Sequence, residues 1–413
     1  MSETILRRIL DHANRADPYP LYDELRKTPV YQDPGGPFVI SGYHDILSLL
    51  HDPRVSSDAR NLARNTNDPL GDSEDETSSA LPPAFLRLDP PEHDRLRRIT
   101  NRPFGPPHSP RRVEELRGEL QGIVQELIDS IEDPGSFDLV EQVSYPFPVT
   151  VICRLLGVPR EDESRFHVWA DTLAASLDPD PDADPGERLK VTQDARMELG
   201  MYLAGLIEER RRNPVGDMLS DLAAGGHGQD ETMTTMELLS TSALLLVAGH
   251  ETTVNLITNG MLTLLRHPQY LAELREDPAL AVPLVEELLR YEPPVQLVPQ
   301  RSTLADIEVR GVTIPKGSSL WLVLAAGNRD PERFENPNTF DPYRKDIQHL
   351  GLGSGIHSCF GAPLARLEAQ LALSELARRL EKPRLREDPP PYRQNAVLRG
   401  PRHLHLSCDG IRP

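Results

Sequence analysis

Apolar residues recur at steps of three and four through most of the chain, a spacing that predicts amphipathic helices. The segments with this spacing are 18–28, 92–102, 111–132, 141–157, 160–176, 188–212, 234–266, 278–291 and 360–380. Runs typical of strands are short, and they lie at about 36–41, 297–302, 319–324 and 403–408. The pattern therefore predicts a mainly helical protein with a minor sheet region.

The segment 234–266 gives the strongest helix prediction. Thr234 and Glu237 fit a capping box at its start, and Pro268 stops the pattern at its end. A helix of this length spans roughly 50 Å, about the width of a large domain. Its apolar residues lie on several sides, so we expect it to run through the core.

Composition and charge narrow the class of protein. The 413 residues include 45 Lys plus Arg and 64 Asp plus Glu, which gives a formal charge of −19 and argues against a nucleic-acid partner. The apolar runs are short, and a run such as 243–248 is far too short for a membrane span. The N-terminus shows no signal-peptide pattern, and three cysteines do not make a disulfide framework. We expect one cytoplasmic domain over residues 1–413, without a membrane span.

Candidate chemistry is concentrated in residues 349–366, which read HLGLGSGIHSCFGAPLAR. The glycines around Cys359 allow close backbone approach to its sulfur. Pro363 suits the first turn of a following helix, whose dipole is expected to favour the Cys359 thiolate. His357 can donate to an anion. A structural cysteine in a turn, or a zinc site with His357, stays open on these residues alone, but the glycine frame favours a ligand role.

Residues 352–361 read LGSGIHSCFG and resemble the haem-binding signature of the cytochrome P-450 family, with Leu352 in place of the family's phenylalanine. The resemblance extends from about residue 17 to the C-terminus. It implies a mainly α, single-domain fold, a roughly triangular helical prism with a small β region. It also implies haem b as cofactor, with Cys359 as the thiolate ligand of the iron, and O2 as co-substrate.

A polar interruption in the long helix, 248–253 (AGHETT), is the second candidate site. A buried acid and hydroxyl need polar partners. On sequence alone, Thr252 could simply bond back to the preceding turn and kink the helix. The family resemblance implies instead that Glu251 and Thr252 are catalytic, managing water and protons beside the haem, while Gly249 leaves room for dioxygen. His250 is expected to be structural.

Four residues are expected to bind the haem carboxylates. His93 and Arg97 are four apart and share a helix face, although a solvated basic face fits that spacing equally well. The resemblance implies that His93, Arg97, Arg301 and His357 bind the propionates. Arginine suits this role because its planar fork takes a carboxylate bidentately.

A buried scaffold is implied by three further residues. Glu287 and Arg290 form an E-x-x-R pair 72 residues before Cys359, and Arg344 in FDPYR matches the third member of the family's triad. The PERF sequence at 331–334 is a competing match for that third position. We expect the triad to hold the cysteine loop rather than to take part in chemistry.

The resemblance to the family also suggests which residues line a substrate pocket and which regions lie over its entrance. The expected lining residues are Leu244, Val247, Ala248, Val295, Leu297 and Val397. The regions 56–88 and 165–190 are expected to be lids over the entrance. An apolar lining suits a terpenoid, polyketide, steroid or peptide-like molecule.

The implied function is a monooxygenase that inserts one oxygen atom from O2 into an apolar or amphipathic molecule, by hydroxylation or epoxidation in secondary metabolism. The chain has no nucleotide or flavin fingerprint, so NAD(P)H electrons are expected through a separate ferredoxin and ferredoxin reductase, or a flavoprotein. A monomer is expected. Peroxide-driven oxidation or oxidative coupling at the same haem, and a non-catalytic haem-binding sensor, are the alternatives.

Overall fold

A computed structural model describes residues 4–61, 82–104, 112–177, 185–225 and 232–413. The predicted mainly helical fold with small sheets is confirmed. The α-helices of the described residues are α1 (Ile5–Leu10), α2 (Tyr19–Arg26), α3 (Tyr43–Leu50), α4 (Glu92–Phe104), α5 (Arg112–Glu115), α6 (Arg117–Asp129), α7 (Pro146–Leu156), α8 (Glu163–Leu177), α9 (Pro185–Arg212), α10 (Met218–Ala224), α11 (Thr235–Arg266), α12 (Pro268–Glu276), α13 (Ala281–Tyr291), α14 (Leu324–Gly327) and α15 (Ala362–Arg379).

Each segment predicted as a helix contains one, but two are divided. The predicted helix 111–132 is broken at Leu116 into α5 and α6. The predicted helix 141–157 begins as a π-helix, Val140–Ser144, before α7. Pro146 explains the second break, because it lacks the N–H that an uninterrupted helix would need. Helices α1, α3, α10, α12 and α14 were not predicted, since a few turns give too little periodicity.

The long central helix α11 matches its prediction closely. Thr234 caps its N-terminus and forms the capping box with Glu237. Its 32 residues extend over about 48 Å at 1.5 Å per residue. Every residue from 253 to 264 is buried, which places this half of the helix inside the main core.

The strands are short. They are β1 (Val30–Gln32), β2 (Phe38–Ile40), β3 (Val55–Ser56), β4 (Phe137–Asp138), β5 (Val298–Thr303), β6 (Ile307–Val309), β7 (Val312–Ile314), β8 (Ser319–Leu322), β9 (Leu380–Glu381), β10 (Arg384–Leu385), β11 (His405–Ser407) and β12 (Gly410–Ile411). The largest sheet has the order β1-β2-β8-β5-β3, with only β2 and β8 parallel. A second sheet has the order β10-β11-β4, and β9–β12 and β6–β7 form two pairs.

The largest hydrophobic cluster packs between α4, α6, α7, α11, α13 and α15, and smaller ones lie under the large sheet and around α1 and α2. The part of the chain that the structure describes contains no helix long and apolar enough to cross a membrane.

Candidate functional site

The loop that carries Cys359 is held between two helix ends. A β carbon at Gly351 would lie 2.2 Å from the carbonyl oxygen of Leu289 at the end of α13. One at Gly355, whose φ is +70°, would lie 2.2 Å from the carbonyl oxygen of Leu50 at the end of α3. Only glycine fits these two positions without moving the backbone. The loop is therefore fixed in place before it enters α15.

The Cys359 thiol lies just before the N-terminus of α15. Its backbone N–H donates to the carbonyl of Leu352 at 2.8 Å, and its side chain is exposed beyond the loop. Burial nevertheless raises the pKa of the thiol, against opposing effects from the Gly361 N–H, Arg97 and Arg366. The expectation that the helix N-terminus favours the Cys359 thiolate stays a prediction, because burial by itself favours the neutral thiol. A metal cation at the sulfur would supply the missing charge.

Helix α4 meets the cysteine loop through two residues predicted from sequence. The rings of His93 and His357 are 4.5 Å apart between centroids. Arg97 donates from Nη2 to the carbonyl of Ser358 at 2.9 Å, and its guanidinium lies 5.5 Å and 5.6 Å from the ring centroids of Phe85 and Phe360. The basic face of α4 is therefore packed against the loop rather than solvated.

Arg301 on β5 adds a further buried cation. Its exposed fraction is 8%, and no hydrogen bond or ion pair of its side chain is found among the described residues. Burial lowers the pKa of Arg301 to about 10, with a further lowering by Arg87 and an opposing effect of Asp89. The pKa of His357 is lowered to about 3, first by burial and then by Arg301, His93 and Arg97.

These four side chains fit the carboxylates of a haem. The Nε2 atom of His93 and the Nδ1 atom of His357 are buried and have no hydrogen-bond partner within the described chain. Buried donors without acceptors, grouped with two arginines, are costly unless an anion pairs with them. The donor set beside the Cys359 sulfur thus suits an iron porphyrin that carries two carboxylates.

One face of helix α11 is accessible to solvent near the middle of the helix. Leu244, Ala248 and Thr252, spaced by four, are partly or fully exposed, whereas Leu246 and His250 on the other side are buried. Thr252 donates from Oγ1 to the carbonyl of Ala248 at 2.7 Å. This is the back-bonded geometry of the helix-kink alternative, and it leaves the oxygen's lone pairs on the open face.

The side chain of Glu251 lies away from this open face and is buried, with an exposed fraction of only 3%. Its Oε1 lies 3.6 Å from Nη1 of Arg393, a residue that the sequence pattern did not single out. A β carbon at Gly249 would lie 2.8 Å from Cδ1 of Ile152 in α7. Gly249 therefore allows close packing of α7 against α11, and its role in leaving room for dioxygen stays a prediction.

His250 is a core residue, as expected. Its ring packs edge-on against Tyr145, with centroids 4.4 Å apart at 82°. Burial lowers the pKa of His250 to about 3, with further lowering by Arg393 and His167. The ring is therefore neutral at any ordinary pH.

The three scaffold residues come together in the core. Arg290 donates to both carboxylate oxygens of Glu287 at 2.7 Å, and both side chains are fully buried. Nε of Arg344 lies 3.4 Å from Glu287 Oε2. The competing Arg333 of the PERF sequence instead pairs with Asp346 at 2.8 and 2.6 Å. Arg344 is thus the third member of this cluster.

The cluster is linked to the cysteine loop by hydrogen bonds. Arg290 donates to the carbonyl of Asn328 at 3.0 Å, and the Oδ1 atom of Asn328 accepts from the N–H of Leu350 at 2.6 Å. Leu350 precedes the first glycine of the loop. A disturbance of the buried pair would therefore reach the loop through two contacts.

The suggested pocket residues form two groups. Leu244, Val247 and Ala248 share α11, while the backbone of 295–297 pairs with that of 397–398 through a Val295–Leu398 bridge and a 2.8 Å bond from Gln296 N–H to the Val397 carbonyl. Leu297 is 1% exposed and packs in the N-terminal core cluster. Of the suggested lids, residues 62–81 and 178–184 lie outside the described residues.

Two buried groups were missed by sequence reasoning. Arg393 meets Glu251 only in three dimensions, from 142 positions further along the chain, so no local pattern could reveal it. Glu368 in α15 is 1% exposed, and burial raises the pKa of its carboxyl well above the usual value. An acid inside an apolar helix face was the available signal for Glu368.

The family model of cytochrome P-450 matches residues 55–407. This chain belongs to the cytochrome P-450 family. It is a P-450 monooxygenase, and membership implies haem with a cysteine thiolate ligand and O2.

Named bacterial P-450 proteins resemble the chain over most of its length. The cytochrome P-450 monooxygenase PikC of Streptomyces venezuelae is 42% identical over 371 residues, covering 88% of this chain and 84% of PikC. The polyketide biosynthesis cytochrome P-450 PksS of Bacillus subtilis is 35% identical over 375 residues, covering 90% and 88%. The ligand-free crystal structure of Mycobacterium smegmatis CYP164A2 matches with a TM-score of 0.84 and 40% identity, covering 98% of this chain and 99% of that one.

Proposed function

We propose that this P-450 monooxygenase inserts one oxygen atom into an apolar or amphipathic secondary metabolite of the polyketide class. The observation that carries the proposal is the Cys359 thiol, set beside His93, Arg97, Arg301 and His357, with the buried Nε2 of His93 and Nδ1 of His357 lacking a hydrogen-bond partner among the described residues. The substrate class is supported by the relatedness to PksS, whose name assigns it to polyketide biosynthesis. An exposed Leu244–Ala248 face also suits an apolar ligand.

The proposed cofactor is haem b. Cys359 Sγ would ligate its iron, and His93, Arg97, Arg301 and His357 would hold its propionates. When bound, the haem supplies the activation of O2 and the transfer of oxygen. The open face of α11 and the loop before α15 would enclose the cofactor, and its iron would supply the cationic partner that favours the Cys359 thiolate despite burial.

Thr252 and Glu251 are the proposed proton-handling residues. Thr252 donates its own hydrogen to Ala248, so its oxygen can accept a hydrogen bond from a water molecule on the open face of α11. Glu251, beside Arg393, offers a buried carboxylate adjacent in sequence. A carboxylate and a hydroxyl in this order can pass protons inward to the reaction site.

Electrons are proposed to come from NAD(P)H through a separate ferredoxin and ferredoxin reductase, or through a flavoprotein, to a monomeric enzyme in the cytoplasm. The regions 56–88 and 165–190 are the proposed entrance. Val168 on α8 and Val191 on α9 support this, because they expose 61% and 49% of their surface on the helices flanking residues 178–184. Exposed apolar side chains there suit the passage of an apolar substrate.

The direct test is turnover of a panel of macrolactones and linear polyketides with ferredoxin, its reductase and NADPH, with product identified by mass spectrometry. We expect a product heavier by one oxygen, labelled from 18O2. Product formed equally well from hydrogen peroxide without the electron-transfer proteins would favour the peroxide-driven alternative. Steroids oxidised in preference to every polyketide would overturn the proposed substrate class.

The role of Thr252 is tested by the ratio of product to NADPH consumed. Thr252→Ala should divert most electrons to hydrogen peroxide, whereas Thr252→Ser should stay close to wild type. Thr258→Ala is the matched control, because Thr258 makes the same back-bond on α11, to Val254 at 2.8 Å, but is fully buried. Equal coupling in Thr252→Ala and Thr258→Ala would show that the hydroxyl only shapes the helix.

A further inference from the structure

A group of metal-binding side chains lies on the second sheet, apart from the cysteine loop. Asp138 on β4, His405 on β11 and His403 just before β11 each offer a ligand atom, and these atoms lie within 4.8 Å of one another. Antiparallel pairing places His405 opposite Asp138. Side chains two apart on an extended segment point to the same face, so His403 and His405 meet on the Asp138 side.

The carboxylate is fixed in position by the backbone. Oδ1 of Asp138 accepts from the N–H groups of Val140 and Leu404, each at 2.9 Å. Its other oxygen, Oδ2, accepts from Nδ1 of His403 at 2.6 Å. The two bonds to Oδ1 set the orientation of this ligand, and a metal ion bound at Oδ2 would not have to break them.

The two imidazoles are also aligned. Their rings are 5.6 Å apart between centroids and inclined by only 8°. A fourth candidate ligand atom is near, since Oε1 of Glu141 lies 3.8 Å from Nδ1 of His403. Because His405 is exposed, an ion could reach the group from solvent without opening the fold.

The distances are compatible with a transition metal. Because the three ligand atoms lie within 4.8 Å of one another, an ion placed between them would be at most about 2.8 Å from each. Side-chain rotation then has to shorten these distances by at most about 0.7 Å to reach ordinary zinc–nitrogen and zinc–oxygen distances. Two imidazoles and one carboxylate suit Zn²⁺, Ni²⁺ or Cu²⁺, whereas Mg²⁺ and Ca²⁺ prefer oxygen ligands alone.

We propose that Asp138, His403 and His405 form a structural site for a divalent transition metal ion, with Zn²⁺ as the reference ion. The ion would tie the C-terminal strand β11 to β4, the strand that leads into the π-helix and α7. Helix α7 carries Ile152, which packs on Gly249 of α11. The site does not depend on the proposed substrate or on the haem ligands.

The test is calorimetric titration of the haem-loaded, chelator-treated full chain with Zn²⁺, and separately with Mg²⁺. We expect one Zn²⁺ per chain and no saturable binding of Mg²⁺. His403→Ala and His405→Ala should each weaken binding at least tenfold, and Asp138→Asn should weaken it ten- to a hundredfold. His44→Ala removes an exposed histidine elsewhere and should bind like wild type.

A spectroscopic measurement checks the ligand set independently of affinity. Bound Cu²⁺ should give an electron paramagnetic resonance spectrum with hyperfine structure from two imidazole nitrogens, and His405→Ala should retain only one. Absence of saturable Zn²⁺ binding, or equal affinity in wild type and both histidine variants, would overturn the proposal.

Discussion

The buried ion pair Glu287–Arg290 should be among the most sensitive points of the fold. In Glu287→Ala, the guanidinium of Arg290 loses both 2.7 Å bonds to the carboxylate while it stays fully buried. Breaking such a pair by removing one partner costs about 3–5 kcal/mol. The N–H of Asp341, which donates to the same carboxylate at 2.9 Å, also loses its acceptor, and a buried unmet donor adds about 1–3 kcal/mol.

The loss is large relative to the 5–15 kcal/mol that typically separates folded from unfolded protein. With a urea dependence of about 3 kcal/mol per M, a loss of 3–5 kcal/mol moves the unfolding midpoint down by roughly 1–2 M. The midpoint is measured by circular dichroism, alongside the haem content of purified protein. Because Arg290 and Asn328 link the pair to the cysteine loop, we expect haem content to fall as well.

The PERF sequence at 331–334, which contains Arg333, supplies a matched control for the Glu287→Ala experiment. Asp346 makes an equally well-aligned bidentate pair with Arg333, but its side chain is 76% exposed. Water and salt screen such a pair, so Asp346→Ala should leave the midpoint and the haem content unchanged. A midpoint of Glu287→Ala within 0.3 M of wild type (about 1 kcal/mol) would refute the reasoning that the buried charge pair holds the loop.

Three further predictions concern the site. Cys359→His should abolish the thiolate-type absorption of the reduced CO complex even where haem is retained, and a band that persists in this variant would show that another group ligates the iron. Arg97→Leu and Arg301→Leu should each lose haem faster to apomyoglobin, because a buried propionate is left short of a cation; transfer rates equal to wild type would remove that residue from the cofactor site. His250 has a folded pKa of about 3 against 6.5 for a free histidine, so unfolding takes up a proton and stability should fall by about 1.4 kcal/mol per unit as the pH drops from 6.5 toward 3. His250→Phe keeps the packing on Tyr145 and should flatten the urea midpoint over that range, whereas an unchanged slope would contradict a neutral buried ring.

Local patterns in the sequence determined the fold class and the position of the cysteine site. The capping box at Thr234 and the three- and four-residue spacing predicted α11 almost to the residue, because a long helix repeats its signal over many turns. The glycines around Cys359 also allowed the loop to be predicted from sequence. At Gly351 and Gly355 a β carbon would lie 2.2 Å from a neighbouring carbonyl oxygen, so only glycine fits there. This steric requirement is therefore visible in the sequence as conspicuous glycines.

Contacts between distant segments were decided only by the tertiary structure. Arg393 reaches Glu251 from the C-terminal region, and Asp138 meets His405 across a sheet of very short strands, neither with a local signal. The protonation preference of Cys359 also depends on folding, because burial raises the pKa of its thiol. Gly249 is a similar case, since the helix that fills the space beside it is set by packing. Spacing along a chain records the period of a helix or strand, but it does not record which faces meet when the elements pack.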